Sequence, residues 1–122
     1  MSLKLLVVDD EPDILKVLAA RLKQNDFEVI TACDGKMALV QADLHRPDLI
    51  IMDIMMPVMD GTEAAQMLKG KPKTQHIPII FLSALKTSDD EGESTVGGNV
   101  ILAKPFEIDT LLVKIRQMTS KY

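Results

Sequence analysis

Five polar residues share one kind of setting: each stands at the end of a short apolar run. Asp9 and Asp10 follow Leu5-Leu6-Val7-Val8, and Asp53 follows Leu49-Ile50-Ile51-Met52. Ser83 ends the run from Ile77 to Leu82, and Lys104 follows the run from Asn99 to Ala103. If folding brings these ends together, the acids repel one another until a proton or a cation relieves them. No histidine sits at such an end, so the available ligands are oxygens. Hard oxygen ligands with room left for water and phosphate suit Mg²⁺, or Mn²⁺ in its place. A carboxylate held at such a metal can attack phosphorus and form an acyl phosphate. A lysine would help balance charge on the transferred oxygens, and a serine hydroxyl can donate a hydrogen bond to one of them.

Taken singly, each residue has a plainer explanation. An aspartate after a strand commonly caps a helix or makes a turn. A lone lysine is usually a solvated surface residue, and a lone serine a turn residue. His45 and His76 fall in loop or helix-end positions and read as solvated. The eight methionines, Met52, Met55, Met56 and Met59 among them, read as fillers of core and loop gaps. What the plainer explanations leave unexplained is the shared placement of acids, hydroxyl and lysine.

The elements that must supply this placement alternate along the chain. Pro12 opens a segment with Ile14, Leu15, Val17, Leu18 and Leu22 on a helical period. Residues Phe27 to Thr31 read as a strand. Asp34-Gly35 marks a turn before Met37, Ala38, Leu39, Val40 and Leu44. Asp60 is placed to cap a helix that runs through Met67-Leu68 to Gly70. Lys71 to His76 forms a polar loop, and Pro78 lies near the start of the fourth strand. The last helix carries Ile108, Leu111, Leu112, Ile115 and Met118, with Asp109 near its start. Five apolar strands, each followed by a helix, predict a three-layer doubly wound α/β sandwich with a parallel sheet in the order 2-1-3-4-5. In such sheets the functional crevice lies at the carboxyl ends of the strands. Asp9, Asp10, Asp53 and Ser83 would converge there, with Lys104 reaching in from the side.

The chain has 122 residues, of which 47% are apolar, enough for one compact domain with a core. One domain over residues 1–122 is expected, with no output domain in this chain. The formal net charge of −4 does not favour a general nucleic-acid surface. The single cysteine, Cys33, has no internal disulfide partner and reads as a strand-end residue. No apolar run is long enough for a signal peptide or a membrane span, so a cytoplasmic location is expected.

Four stretches together resemble the receiver domain of two-component response regulators. They are Val7-Val8-Asp9-Asp10-Glu11-Pro12, the run from Leu49 to Gly61 around Asp53-Ile54-Met55-Met56-Pro57, Pro78 to Ala84 with Ser83, and Lys104-Pro105-Phe106. The resemblance implies that Asp53 accepts a phosphoryl group from a histidine kinase or phosphotransfer protein. It also implies that Mg²⁺ is held by Asp9, Asp10, Asp53 and the main-chain carbonyl of Met55, Asp9 acting largely through a bound water. Ser83 and Lys104 would contact the phosphoryl oxygens, and Pro105 would follow a cis peptide bond. Such a domain promotes its own phosphorylation and dephosphorylation without being a turnover enzyme, and a downstream protein or linked output domain reads its altered face.

Two features depart from that pattern. Ile101 stands three residues before the lysine, where receivers commonly carry a switch aromatic. Residues 86–98 should supply a fourth amphipathic helix. Ser88 and Glu91 could form a capping box, but Val96 is the only apolar residue beyond it, and Gly92, Gly97 and Gly98 weaken any helix. A short or irregular fourth helix is expected. Two other functions compete: a pseudo-receiver that binds proteins without being phosphorylated, and a small phosphohydrolase with Asp9 as nucleophile. The hydrolase pattern wants Asp-x-Asp after the first strand, whereas this chain has Asp9-Asp10-Glu11.

Overall fold

The computed structural model describes residues 3–83, 94–96, 99–104 and 106–119. Strands β1 (Lys4–Val8), β2 (Glu28–Ala32), β3 (Leu49–Asp53), β4 (Ile79–Ser83), β5 (Ser94–Val96) and β6 (Asn99–Ala103) form one sheet. Helices α1 (Pro12–Gln24), α2 (Gly35–His45), α3 (Gly61–Lys69) and α4 (Ile108–Thr119) cover it. The sheet order is β2-β1-β3-β4-β6-β5. Its five parallel strands keep the order expected from the sequence, and β5 is an added antiparallel strand on β6.

The apolar runs became strands because both sheet faces are covered. β3 and β4 are buried at every position. Leu6, Val8, Ile50, Met52, Ile79 and Phe81 face one core, and Leu5, Val7, Leu49, Ile51, Ile80 and Leu82 face the other. Alternate residues of one strand therefore feed opposite layers, as the strand period requires.

The helices begin and end where sequence chemistry places them. Asp34 accepts the Met37 N–H at 2.7 Å and caps α2. Asp60 accepts the Glu63 N–H at 2.9 Å and caps α3, which Gly70 closes. Pro12 stands at the first position of α1. The helical period did not reveal which apolar face meets the sheet. Ala38 and Ala42 of α2 and Ala64 and Ala65 of α3 are buried, while Met37, Val40 and Leu44 are exposed. Ile14 and Val17 of α1 are likewise exposed, whereas Leu18 and Leu22 are buried. On α2 small side chains take the sheet contact and larger apolar ones are turned outward, whereas on α1 leucines take it.

The turn from α3 into β4 is better tied than a polar loop would be. Thr74 is buried and its hydroxyl donates to the Leu68 carbonyl at 2.6 Å. The Lys69 ammonium donates to the Ile77 carbonyl at 2.9 Å. Burial there holds the Lys69 pKa below the usual lysine range.

Residues 86–93, 97 and 98, on which most of the expected irregular helix falls, lie outside the described residues. At the end of that stretch Ser94–Val96 are a strand, with Val96 opposite Asn99. Thr95 and Val96 are β-branched and favour that form. Pro105 also lies outside the described residues, and with it the expected cis peptide bond.

Candidate functional site

Strand register brings the chemistry to one level. Val8 pairs with Met52 and Asp53 with Leu82, so Asp9 and Asp53 leave neighbouring strands side by side. Ser83 pairs with Ala103, so Lys104 emerges just beyond Ser83. The Lys104 N–H donates to the Ser83 carbonyl at 3.0 Å and fixes the start of that segment.

Asp9 is 1% exposed and Asp53 and Ser83 are each 5% exposed. Buried carboxylates are expensive unless paired or hydrogen-bonded. Lys104 supplies the pairing: its Nζ lies 3.3 Å from Asp9 Oδ2 and 3.2 Å from Asp53 Oδ2. The remaining oxygens are met by backbone donors. The Glu11 N–H donates to Asp9 Oδ1 at 2.9 Å, and the Met55 N–H donates to Asp53 Oδ1 at 3.3 Å.

One ammonium does not balance this cluster. Burial pushes the Asp53 pKa above the ordinary carboxylate range, and the nearby Asp9 charge pushes it further. Lys104 and the Met55 N–H pull it down without cancelling the rise. Burial alone would lower the Lys104 pKa, but Asp53 and Asp9 outweigh it and raise the value. The lysine therefore stays charged while its acid partner remains uneasy, as expected when one cation faces several carboxylates.

Asp10 adds the third acid. Asp9, Asp10 and Asp53 each offer a carboxylate oxygen, and these oxygens lie within 4.8 Å of one another. All three donors are hard oxygens, and their charge exceeds what Lys104 neutralises. The residues therefore fit a hard divalent cation such as Mg²⁺. The Met55 N–H bond ties the β3–α3 loop back to Asp53, which keeps the Met55 main chain beside the acids.

That loop is shaped by features the sequence reading passed over. A Cβ on Gly61 would lie 2.5 Å from the Asp53 carbonyl oxygen, so α3 begins hard against the backbone of Asp53. A Cβ on Gly35 would lie 2.7 Å from the Met59 carbonyl oxygen, so α2 begins against the same loop. Val58 has φ 70°, and the Met59 N–H donates to the Pro57 carbonyl at 2.8 Å. This is a γ-turn with a β-branched residue in the left-handed region, a strained arrangement. The signal for the close approaches was present in the two Asp-Gly pairs, Asp34-Gly35 and Asp60-Gly61, each of which opens a helix.

All five residues singled out at the strand ends thus meet at one edge of the sheet. Such a fold and acidic site define a receiver domain, and comparison with known proteins agrees. The chain belongs to the response regulator receiver domain family, whose pattern matches residues 5–116. It is 38% identical over 120 residues to the response regulator PleD of Caulobacter vibrioides, covering 98% of this chain and 26% of PleD. It is 37% identical over 118 residues to the transcriptional regulatory protein PrrA of Mycobacterium tuberculosis, covering 96% of this chain and 50% of PrrA. The chain therefore spans about a quarter to a half of the length of these relatives.

Solved structures agree in fold. The receiver domain of the sensor histidine kinase PA1611 from Pseudomonas aeruginosa, solved with a magnesium ion in its active-site cleft, superposes with a TM-score of 0.87 at 30% identity. That match covers 99% of this chain and all of the other, at 100%. The Vibrio cholerae chemotaxis protein CheY4 gives a TM-score of 0.85 at 34% identity, covering 97% and 99% of the two chains. Receiver domains are signalling modules of two-component systems. No helix among the described residues is long and apolar enough to cross a membrane.

Proposed function

We propose that the chain is a phosphorylation-dependent switch in which Asp53 takes a phosphoryl group from a phosphohistidine donor. The observation that carries this reading is the shared lysine: Lys104 bridges Asp9 and Asp53, and Asp10 completes an acid cluster still short of positive charge. Asp9, Asp10, Asp53 and the Met55 carbonyl would hold Mg²⁺. Bound there, Mg²⁺ supplies the charge that lets carboxylate and phosphoryl oxygens approach each other.

The chain's own groups then have separate tasks. An Asp53 carboxylate oxygen attacks phosphorus, the P–N bond to the donor imidazole breaks, and the imidazole leaves with its electron pair and takes up a proton. Lys104 moves from neutralising two carboxylates to neutralising a phosphoryl oxygen. The Ser83 hydroxyl donates to another phosphoryl oxygen. The donor is a histidine kinase or a phosphotransfer protein, which places the chain in the cytoplasm. The reaction alters this chain itself, and no outside substrate is turned over.

The response runs from Ser83 to β6. Ile101 stands opposite Phe81 in register and packs against the same core. Movement of Ser83 toward the phosphoryl group would therefore be felt at Ile101, and a downstream protein or linked output domain would read the change.

The test is incubation with acetyl phosphate and Mg²⁺, read by intact mass. One added phosphoryl group is expected, absent when the metal is chelated beforehand and in Asp53→Asn. No adduct, even with phosphohistidine donors, would mean a protein-binding module that keeps the fold without the chemistry. Turnover of outside phosphoesters would mean a hydrolase.

A further inference from the structure

Helix α2 is apolar on two sides. Ala38 and Ala42 pack on the sheet, and Met37, Val40 and Leu44 lie on the surface at 43%, 58% and 70% exposure. These three follow the spacing i, i+3, i+7, so they form one stripe along the helix. A helix with apolar residues on opposite sides is usually covered on both. Isolated exposed apolar residues need no explanation, but a continuous stripe of this kind does.

The flank of the stripe says what covers it. Lys36 and Asp43 are exposed and seven residues apart, which places them on the same side of the helix, next to Val40. Consider a second α2 running antiparallel across the first, with the twofold axis passing near Val40. Val40 then faces its own copy, Met37 faces Leu44 of the other chain, and Lys36 faces Asp43 of the other chain. The Met37–Leu44 and Lys36–Asp43 contacts each occur twice, as a twofold interface demands. In antiparallel helix pairs a flank meets the same flank of its partner, so the charges meet with opposite sign. A shallow groove beside the stripe is lined by Leu39, Val40 and Leu44 together with the charged Asp43, Arg46 and Lys71.

We propose that two copies of this chain associate through antiparallel α2 helices, with Met37, Val40 and Leu44 as the core and Lys36–Asp43 pairs as the rim. A single helix pair buries a small area, so the dimer is weak and dependent on concentration. The interface lies on the helix that begins against the β3–α3 loop, where Gly35 meets Met59.

Sedimentation equilibrium of the chain across a wide concentration range tests this directly. A reversible monomer–dimer equilibrium is expected. Leu44→Lys should abolish it. Lys36→Glu sets like charges against each other at both rim pairs and should weaken association roughly tenfold. Asp43→Lys should do the same, and the double swap K36E/D43K should restore it. Both swaps put each charge at its favoured end of α2, so lost association cannot be blamed on a weaker helix. A chain that stays monomeric throughout overturns the proposal. So does a dimer indifferent to Leu44→Lys, or a double swap no better than the singles.

Discussion

The two sides of β4 differ in how firmly they are held. On one side β3 is buried at all five positions, and its loop is pinned by Gly61, by the Asp60 cap and by the Met55–Asp53 hydrogen bond. On the other side Val100, Ile101, Leu102 and Ala103 of β6 are half-buried, and the neighbour beyond them is the three-residue β5. The acids thus sit in the rigid part of the sheet, and the strand carrying Ile101 toward Lys104 sits in the looser part. A site that must hold charges at fixed separation needs the first property. A surface that must shift between two arrangements needs the second.

Truncation in β4, which is buried throughout as β3 is, and in β6 should expose this difference most strongly. Phe81→Ala, in the fully buried layer, should cost about 3–5 kcal/mol. Ile101→Ala, its register partner on β6, should cost only about 1–2 kcal/mol because the site is half open to water. Urea unfolding with matched m-values would measure both, and equal losses would remove the distinction.

Next in size is the close approach at the acceptor. Gly61→Ala places a methyl group against the Asp53 carbonyl oxygen, and the loop has to move. The expected cost is about 2–3 kcal/mol in the same unfolding experiment, together with weaker metal binding. A neutral substitution would show the loop to be adaptable.

Lys104→Ala tests the charge balance. It leaves Asp9 and Asp53 buried without their cation, which should destabilise the metal-free chain by about 1–3 kcal/mol, with allowance for partial exposure of the lysine. It also removes the competing cation from both carboxylates, so Mg²⁺ affinity measured by calorimetry should rise while phosphorylation falls. A drop in Mg²⁺ affinity would mean that Lys104 positions the acids.

The smallest effect concerns Asp53 itself. Its pKa is raised in the folded state, so the fold favours the protonated carboxyl. Stability from this group is complete below the unfolded carboxylate pKa and is lost as pH rises through the folded value. Asp53→Asn should therefore stabilise the metal-free chain at neutral pH, with the advantage vanishing in acid. Unfolding curves across that range would show it, and an advantage that grew in acid would reverse the sign.

The sequence reading reached the site edge of the sheet with little loss. Five apolar runs with polar ends were enough to place Asp9, Asp10, Asp53, Ser83 and Lys104 at one edge, because parallel strands in this order put their carboxyl ends together. Asp60 and Gly70 announced the ends of their helix through ordinary capping chemistry, and Asp34-Gly35 marked the turn before α2. The helix faces were harder. Period alone marks Met37, Val40 and Leu44 as apolar but does not reveal that Ala38 and Ala42 hold the sheet. Buried Thr74 was hidden in a polar run, since its only signature is a hydrogen bond to Leu68 across the turn. Val58 was hidden because no local rule favours positive φ at valine, and strand β5 because three residues give no period.

The central claim is that the phosphoryl group goes to Asp53 and to no other acid in the cluster. Borohydride reduction of the acetyl-phosphate-treated chain converts the phosphorylated aspartate to homoserine, which peptide mass mapping locates. Homoserine at position 53, dependent on Mg²⁺, is the predicted result. Homoserine at position 9 or 10, with position 53 unchanged, would contradict the account.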